Sequence, residues 1–145
     1  MDPATRDAAE AHFQKRADAL MKGAFRWLIK QYRFPFAVFE GASLSLEMTP
    51  RQTRRVLEQY RKRILQDGVA RIFVTLQALE PSQGGRFKAS TLWEFQSASG
   101  APVYRANYNF FGTMRQSGSF IAEMMEYEDA GDGGRGDLFG NIYLH

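Results

Sequence analysis

The residues of this chain that could take part in chemistry are mainly aromatic. The 145 residues include 12 Phe, 6 Tyr and 2 Trp, but no cysteine. A thiolate nucleophile and a thiolate metal site are therefore excluded. The two histidines are His12, in a predicted helix, and His145, the last residue, and neither is placed as a general base. Buried Tyr and Trp combine apolar surface with a hydrogen-bonding group, which suits them to hold and orient a small molecule.

The candidate ligand site consists of six aromatic residues on elements that we expect to face each other: Trp27, Tyr32, Trp93, Tyr104, Tyr108 and Phe110. The last four share the apolar face of two predicted strands, because side chains alternate across a strand. The first two lie on predicted N-terminal helices that must cover this face. The same residues could instead fill a core, with their polar groups bonded to the backbone.

Four long strands are predicted in the second half of the chain: Val69–Leu79, Phe87–Gln96, Val103–Phe111 and Ser119–Tyr127. Turns rich in Gly, Pro and Ser separate them, which favours an antiparallel meander. Strands of this length twist and curl, so the sheet needs a cover. On the last strand, Phe120, Ala122 and Met124 are predicted to be buried, with Ile121 and Met125 on the opposite face.

The first half of the chain supplies the covering helices. Asp2 and Pro3 mark a helix start, and Gly23 divides the helical pattern, which ends by Phe34. A short hairpin follows over 36–47. Thr49, with Gln52 three residues later, forms a capping box that opens a helix over 50–67. Five residues of that helix are predicted to point inward: Val56, Leu57, Tyr60, Ile64 and Leu65.

Length and composition indicate one domain over 1–127, followed by a Gly- and Asp-rich tail over 128–145. The spacing of Asp129, Asp132 and Asp137 matches no calcium loop, so no metal is expected. Residues 1–66 hold 13 Lys and Arg against 7 Asp and Glu. We interpret this as solvated helix faces and expect no nucleic acid partner. With no apolar leader or membrane-spanning run, a cytoplasmic location is expected.

The order of elements resembles the nuclear transport factor two-like superfamily, also described as SnoaL-like or ketosteroid-isomerase-like. The resemblance covers roughly residues 4–127. It rests on Tyr32-Arg-Phe-Pro35 leading into the hairpin, Thr49-Pro-Arg-Gln52 opening the third helix, Gly68-Val69 entering the first long strand, and Trp93-Glu-Phe95 in the next. It implies an α+β, cystatin-like cone, in which the helices pack into the concave face of the sheet and leave a pocket.

The resemblance also implies candidate functions. Its members include isomerases, dehydratases and cyclases, as well as ligand-binding proteins without known activity. The isomerases carry an Asp near the first hairpin strand, where this chain has Glu40, and Glu47 is a second candidate base. Members often dimerise through the outer sheet face, and we expect a homodimer. Here that face would carry five apolar residues: Phe73, Leu92, Phe111, Ile121 and Met125.

Three functions stay open at this point. The first is a protein that binds a small apolar or aromatic molecule through the six aromatic residues and requires no cofactor. The second is an enzyme of the isomerase, dehydratase or cyclase type, with Glu40 or Glu47 as base and Tyr104 or Tyr108 as oxyanion donor. The third is a dimeric interaction module or assembly subunit, in which the arginine face of helix 50–67 contacts an acidic partner or nucleic acid.

Overall fold

A computed structural model describes residues 2–40 and 43–128. Residues 129–145 of the predicted tail, with its acidic cluster and His145, lie outside the described residues, as does the predicted hairpin turn at Gly41. The elements in chain order are α1 Pro3–Lys22, α2 Phe25–Ile29, β1 Tyr32–Glu40, β2 Ser43–Met48, α3 Pro50–Gln66, β3 Arg71–Pro81, β4 Arg86–Gln96, β5 Pro102–Met114 and β6 Phe120–Glu128. Three helices pack against a curved, open sheet, so the predicted α+β architecture is confirmed.

The six strands form a single sheet in the order β2-β1-β6-β5-β4-β3. The meander from β3 to β6 and the β1–β2 hairpin are antiparallel, as predicted. Strand β1 also pairs with β6, and this pairing is parallel. It joins strands at opposite ends of the chain, so local alternation carries no information about it. The pairing closes the hairpin onto the meander and extends the predicted sheet by two strands.

A bulge in β6 changes which methionine is buried. Phe111 lies opposite Met124, whereas the next residue, Gly112, lies opposite Ala122, so Glu123 is an extra residue on β6. Met125 is consequently 5% exposed and Met124 37% exposed. The predicted burial of Met124 and the outer position of Met125 are both wrong, because an inserted residue reverses the alternation beyond it.

Gly112 is required where this bulge forms. A Cβ atom at position 112 would lie 2.0 Å from the carbonyl oxygen of Ile121, a separation that no side chain could adopt. The backbones of β5 and β6 therefore approach each other here to a distance that only glycine permits.

The predicted helix boundaries are largely confirmed. Asp2 caps α1 by accepting a 2.8 Å hydrogen bond from the Thr5 amide, and Gly23, at φ 76°, ends the helix. The capping box is present at α3: the Thr49 amide donates to Gln52 Oε1 at 2.9 Å, and the Gln52 amide donates to Thr49 Oγ1 at 3.2 Å. These signals are local in sequence, which is why the pattern alone identifies them.

Two predicted placements in the helical half are wrong. Helical spacing predicts that Leu65 points inward, but it is 41% exposed, since it lies one helical step beyond buried Ile64. The same pattern predicts Tyr32 on a covering helix. Tyr32 is instead the first residue of β1, opposite Ala122 of β6, because pairing with a distant strand determines its conformation.

Side chains of α1 bond to the backbone of the edge strand β3. Glu10 Oε2 accepts from the Leu76 amide at 2.9 Å. Gln14 accepts from the Val74 amide at 2.9 Å and donates to the Ile72 carbonyl at 2.8 Å. Unpaired strand edges promote association between chains, and these contacts occupy that edge. No helix among the described residues is long and apolar enough to cross a membrane.

Candidate ligand cavity

A small cavity lies between the helices and the inner face of the sheet. Eight residues from α1, α3 and four strands line it: Leu20, Tyr32, Leu57, Tyr60, Trp93, Tyr108, Phe110 and Met125. Its volume is about 40 Å³, room for a few water molecules. A cavity of about 150 Å³ accommodates benzene. The aromatic site is therefore largely filled by its own side chains in this conformation.

Four of the six predicted site residues line this cavity: Tyr32, Trp93, Tyr108 and Phe110. The other two lie elsewhere. Trp27 packs beside His12, with ring centroids 6.1 Å apart. The Tyr104 ring packs on Phe95 at 4.8 Å, and its hydroxyl donates to Asp67 Oδ2 at 3.4 Å. The structure thus brings together the predicted residues from three strands, and it leaves Trp27 and Tyr104 outside the wall.

The polar centre of the cavity wall is a pair of tyrosines. The hydroxyl oxygens of Tyr60, on α3, and Tyr108, on β5, lie 2.6 Å apart. Burial raises the pKa of Tyr60 well above its ordinary value, and the neighbouring Tyr108 raises it further. Both effects oppose ionisation of Tyr60, so this phenol remains neutral at physiological pH and keeps its proton.

The indole of Trp93 has a hydrogen-bond partner within the wall. Its Nε1–H donates to Thr91 Oγ1 at 2.9 Å, and the Thr91 hydroxyl donates to the Tyr108 carbonyl at 2.7 Å. The Trp93 ring also packs edge-on against Tyr108, with centroids 5.5 Å apart. Trp93 therefore presents an apolar surface to the cavity in a fixed orientation, whereas its N–H is used in a hydrogen bond within the protein.

Neither predicted carboxylate reaches the cavity. Glu40 and Glu47 are exposed on β1 and β2, and the wall, as described, contains no carboxylate and no imidazole. Glu123, the extra residue in β6, pairs with Arg86 at 2.9 Å and with Arg33 at 3.1 Å. No group of three or more acidic or histidine side chains suited to a metal occurs among the described residues.

Arg16 is the polar residue that sequence reasoning missed. It lies on α1, is 1% exposed, and packs against two rings of the cavity wall. Its Cζ atom is 4.7 Å from the Tyr32 ring centroid and 5.2 Å from that of Phe110. One signal could have found it: Arg16 lies three residues after Phe13 and four before Leu20, inside the apolar stripe of the helix.

One nitrogen of the Arg16 guanidinium makes three hydrogen bonds. Nη1 donates to the Phe120 carbonyl at 3.0 Å, the Gln31 carbonyl at 3.3 Å and His12 Nε2 at 3.2 Å. A guanidinium has only donors, so His12 Nε2 must accept. Within the described chain, Nη2 is buried and makes no hydrogen bond. Burial lowers the pKa of Arg16, an effect that Tyr32 opposes.

His12 is held in its neutral form by the same environment. Burial lowers its pKa to about 3, and the adjacent Arg16 charge contributes in the same direction. A histidine that stays neutral through the physiological range cannot alternate between acid and base there. It acts as an acceptor for Arg16, which agrees with the expectation that His12 is not a general base.

No protein-family model matches this chain, and no curated protein matches it in sequence. Solved structures do match. Aln2 from a Streptomyces species superposes with a TM-score of 0.64 at 12% identity, over 88% of this chain and 92% of Aln2. An NTF-2-like protein of unknown function from Shewanella oneidensis gives 0.59 at 10% identity, over 85% of this chain and 98% of that one.

This chain has the nuclear transport factor two-like fold. A third structure with this fold, of a protein from Catenulispora acidiphila in complex with S-DNPA, superposes with a TM-score of 0.59 at 14% identity, over 88% of this chain and 94% of that one. The predicted resemblance is confirmed at the level of fold. At these identities the fold does not identify a reaction or a particular ligand.

Proposed function

We propose that this chain binds a small apolar or aromatic molecule in the cavity between its helices and the inner face of its sheet. The observation that carries the proposal is the composition of the wall, which combines six large apolar or aromatic side chains with the buried Tyr60–Tyr108 hydroxyl pair. Apolar walls with few, fixed polar groups are typical of small-molecule sites. The nuclear transport factor two-like fold, which in the Catenulispora acidiphila structure accompanies a complex with S-DNPA, supports the same view.

Binding requires the cavity to expand, because its volume of about 40 Å³ is smaller than any aromatic ligand. Met125 is the wall residue best suited to move, since an unbranched side chain with three rotatable bonds repacks easily. The tyrosine pair and Trp93 are held by hydrogen bonds. We therefore propose that a ligand enters by displacing Met125 and lies against a comparatively fixed aromatic wall.

The adjacent methionines provide a direct test. Met125 lines the cavity, whereas Met124 lies on the outer face of the same strand. In a titration of methyl-labelled protein with indole, the Met125 methyl resonance should shift progressively and saturate, and the Met124 resonance should stay in place. A resonance of Met125 that is unchanged at saturating indole, or equal shifts at both methionines, would contradict binding in this cavity.

We do not extend the proposal to acid–base catalysis. An isomerase, dehydratase or cyclase of this kind needs a base within hydrogen-bonding reach of its substrate, and Glu40 and Glu47 are exposed away from the cavity wall. The Tyr60–Tyr108 pair can orient a carbonyl or hydroxyl group of a ligand. Binding without turnover is the function that this set of residues supports best.

We also propose that the protein is a cytoplasmic homodimer formed through the outer sheet face. Phe73 is 44% exposed there, and Phe111 lies opposite the exposed Met124 on the neighbouring strand. Exposed apolar residues grouped on one face are typical of interfaces. Sedimentation of the wild type and of Phe73→Glu tests this: the wild type should be a dimer and the variant a monomer, whereas a monomeric wild type would contradict the proposal.

A further inference from the structure

Arg16 is a buried cation that forms no ion pair with any of the described residues. The ion pairs of the described residues involve other arginines: Arg33, Arg54, Arg63 and Arg86. Arg16 is buried as completely as the core phenylalanines. Burying a charge is costly unless it is paired and fully hydrogen-bonded. The Nη1 contacts with two carbonyls and His12, and the surrounding aromatic rings, offset part of this cost.

The cost of burying Nη2, the other terminal nitrogen of the guanidinium, is not offset by a hydrogen bond from the described residues. Nη2 makes no hydrogen bond within the described chain, although a guanidinium is built to donate from both terminal nitrogens. Tyr32 and Phe110 contact this guanidinium on one side and line the cavity on the other. The rings of Tyr32 and Phe110 therefore lie between the cavity and the Arg16 guanidinium.

We propose that Arg16 is an anion-binding residue of the cavity, and that the natural ligand is a small carboxylic acid whose carboxylate pairs with Nη2. This inference rests on the proposed function, since it names the chemical class of the ligand bound there. The ligand acid group would reach Nη2 when the Tyr32 ring turns. Tyr32 is only half-buried at the start of β1, so it has more freedom than Phe110 in the core.

The site favours a carboxylate over a phosphate. One guanidinium supplies a single positive charge, which balances one carboxylate and not a phosphate dianion. The nearest lysine on the same helix, Lys15, is exposed and lies over Trp27, which does not line the cavity. The remaining wall is apolar or phenolic, an environment suited to the hydrocarbon or aromatic part of a monocarboxylic acid.

The test compares benzoate with benzamide, which has nearly the same shape but no charge. Titrations at pH 7 by calorimetry should show benzoate binding at least tenfold tighter than benzamide to the wild type. Arg16→Met keeps an unbranched side chain of similar length and removes the charge, and it should bind both probes equally. Arg54→Met removes an exposed arginine that pairs with Glu58 on α3, and it should keep the wild-type preference.

A second readout needs no variant, so it remains decisive if Arg16→Met does not fold. In the wild type, benzoate should shift the Arg16 guanidinium resonances and benzamide should not. Equal affinity for the two probes, or a preference that survives in Arg16→Met, would overturn the assignment of Arg16 and leave the proposed function intact. Binding of neither probe, together with no Met125 response to indole, would overturn both.

Discussion

The hydroxyl oxygens of Tyr60 and Tyr108 lie 2.6 Å apart across the interface between α3 and β5. The two residues are 48 positions apart in the chain, and both are buried. Their contact fixes the helix against the sheet at the wall of the cavity. It is therefore both a structural bond and the polar group that a ligand would meet.

A double-mutant cycle measures how much the hydrogen bond between these two hydroxyls contributes to the free energy of unfolding. Tyr60→Phe and Tyr108→Phe should each lower the free energy of unfolding by about 1–3 kcal/mol, because each removes the hydrogen bond between two buried hydroxyls. The double variant should be less destabilised than the sum, with a coupling of about 1 kcal/mol. Urea unfolding of the four proteins checks this, and strictly additive effects would show that the hydroxyls do not interact.

The buried imidazole predicts an acid-sensitive stability. The pKa of His12 is about 3 in the folded protein, against about 6.5 in an unfolded chain. Between these values the unfolded state binds more protons, so stability falls as pH decreases from 6.5 toward 3. The loss between pH 7 and pH 5 should be about 2 kcal/mol.

Urea unfolding of the wild type and His12→Gln at both pH values isolates this effect. The amide of Gln can still accept a hydrogen bond from Arg16, but it does not titrate. The stability of the variant should therefore depend less on pH across this interval. A wild type that is equally stable at pH 7 and pH 5, or a variant with the same pH dependence, would show that His12 is not held neutral.

Gln14 is expected to stabilise the edge strand β3 and to protect its backbone amides from exchange. Gln14→Ala removes the bonds to the Val74 amide and the Ile72 carbonyl, and it should lower the free energy of unfolding by about 1–3 kcal/mol. Amide exchange at Val74 should become faster. Gln59→Ala, an exposed position on α3, serves as the control and should change neither quantity. Unchanged exchange at Val74 in Gln14→Ala would show that α1 does not protect this edge.

Enlarging the cavity should improve ligand binding. Leu57 lines the cavity, whereas Ile64, two helical turns later on α3, is equally apolar and buried elsewhere in the core. Leu57→Ala and Ile64→Ala should each cost about 2–5 kcal/mol of stability. Indole should bind Leu57→Ala more tightly than wild type, and Ile64→Ala no more tightly, as measured by calorimetry. Equal affinities for the two variants would place the indole site outside this cavity.

Local signals account for what the sequence predicted correctly. The Thr49 capping box, the break at Gly23 and the alternation from Ile72 to Leu76 depend on neighbouring residues, and all three appear as predicted. The bulge at Glu123 depends on how β5 and β6 approach at Gly112. Nothing in the β6 sequence marks that insertion, so alternation alone assigns Met124 and Met125 to the wrong faces.

The candidate site was predictable only in part for the same reason. Strand alternation places Trp93, Tyr108 and Phe110 on one face, and helical spacing places Tyr60 inward. The placement of Tyr32 requires the parallel β1–β6 pairing, which joins distant parts of the chain. The position of Arg16 inside the apolar stripe of α1 is a local signal, but charged residues are seldom buried. Its burial depends on carbonyls contributed by Gln31 and Phe120.

Native mass spectrometry tests the central claim, that the cavity holds a small molecule, most directly. Protein purified gently from its host should carry extra mass in the native spectrum that is lost under denaturing conditions, and that mass should match a monocarboxylic acid. If the host ligand is lost during purification, incubation with indole or benzoate should restore an adduct. Protein that stays bare in the native spectrum, both as isolated and after incubation with saturating indole and benzoate, would contradict the account.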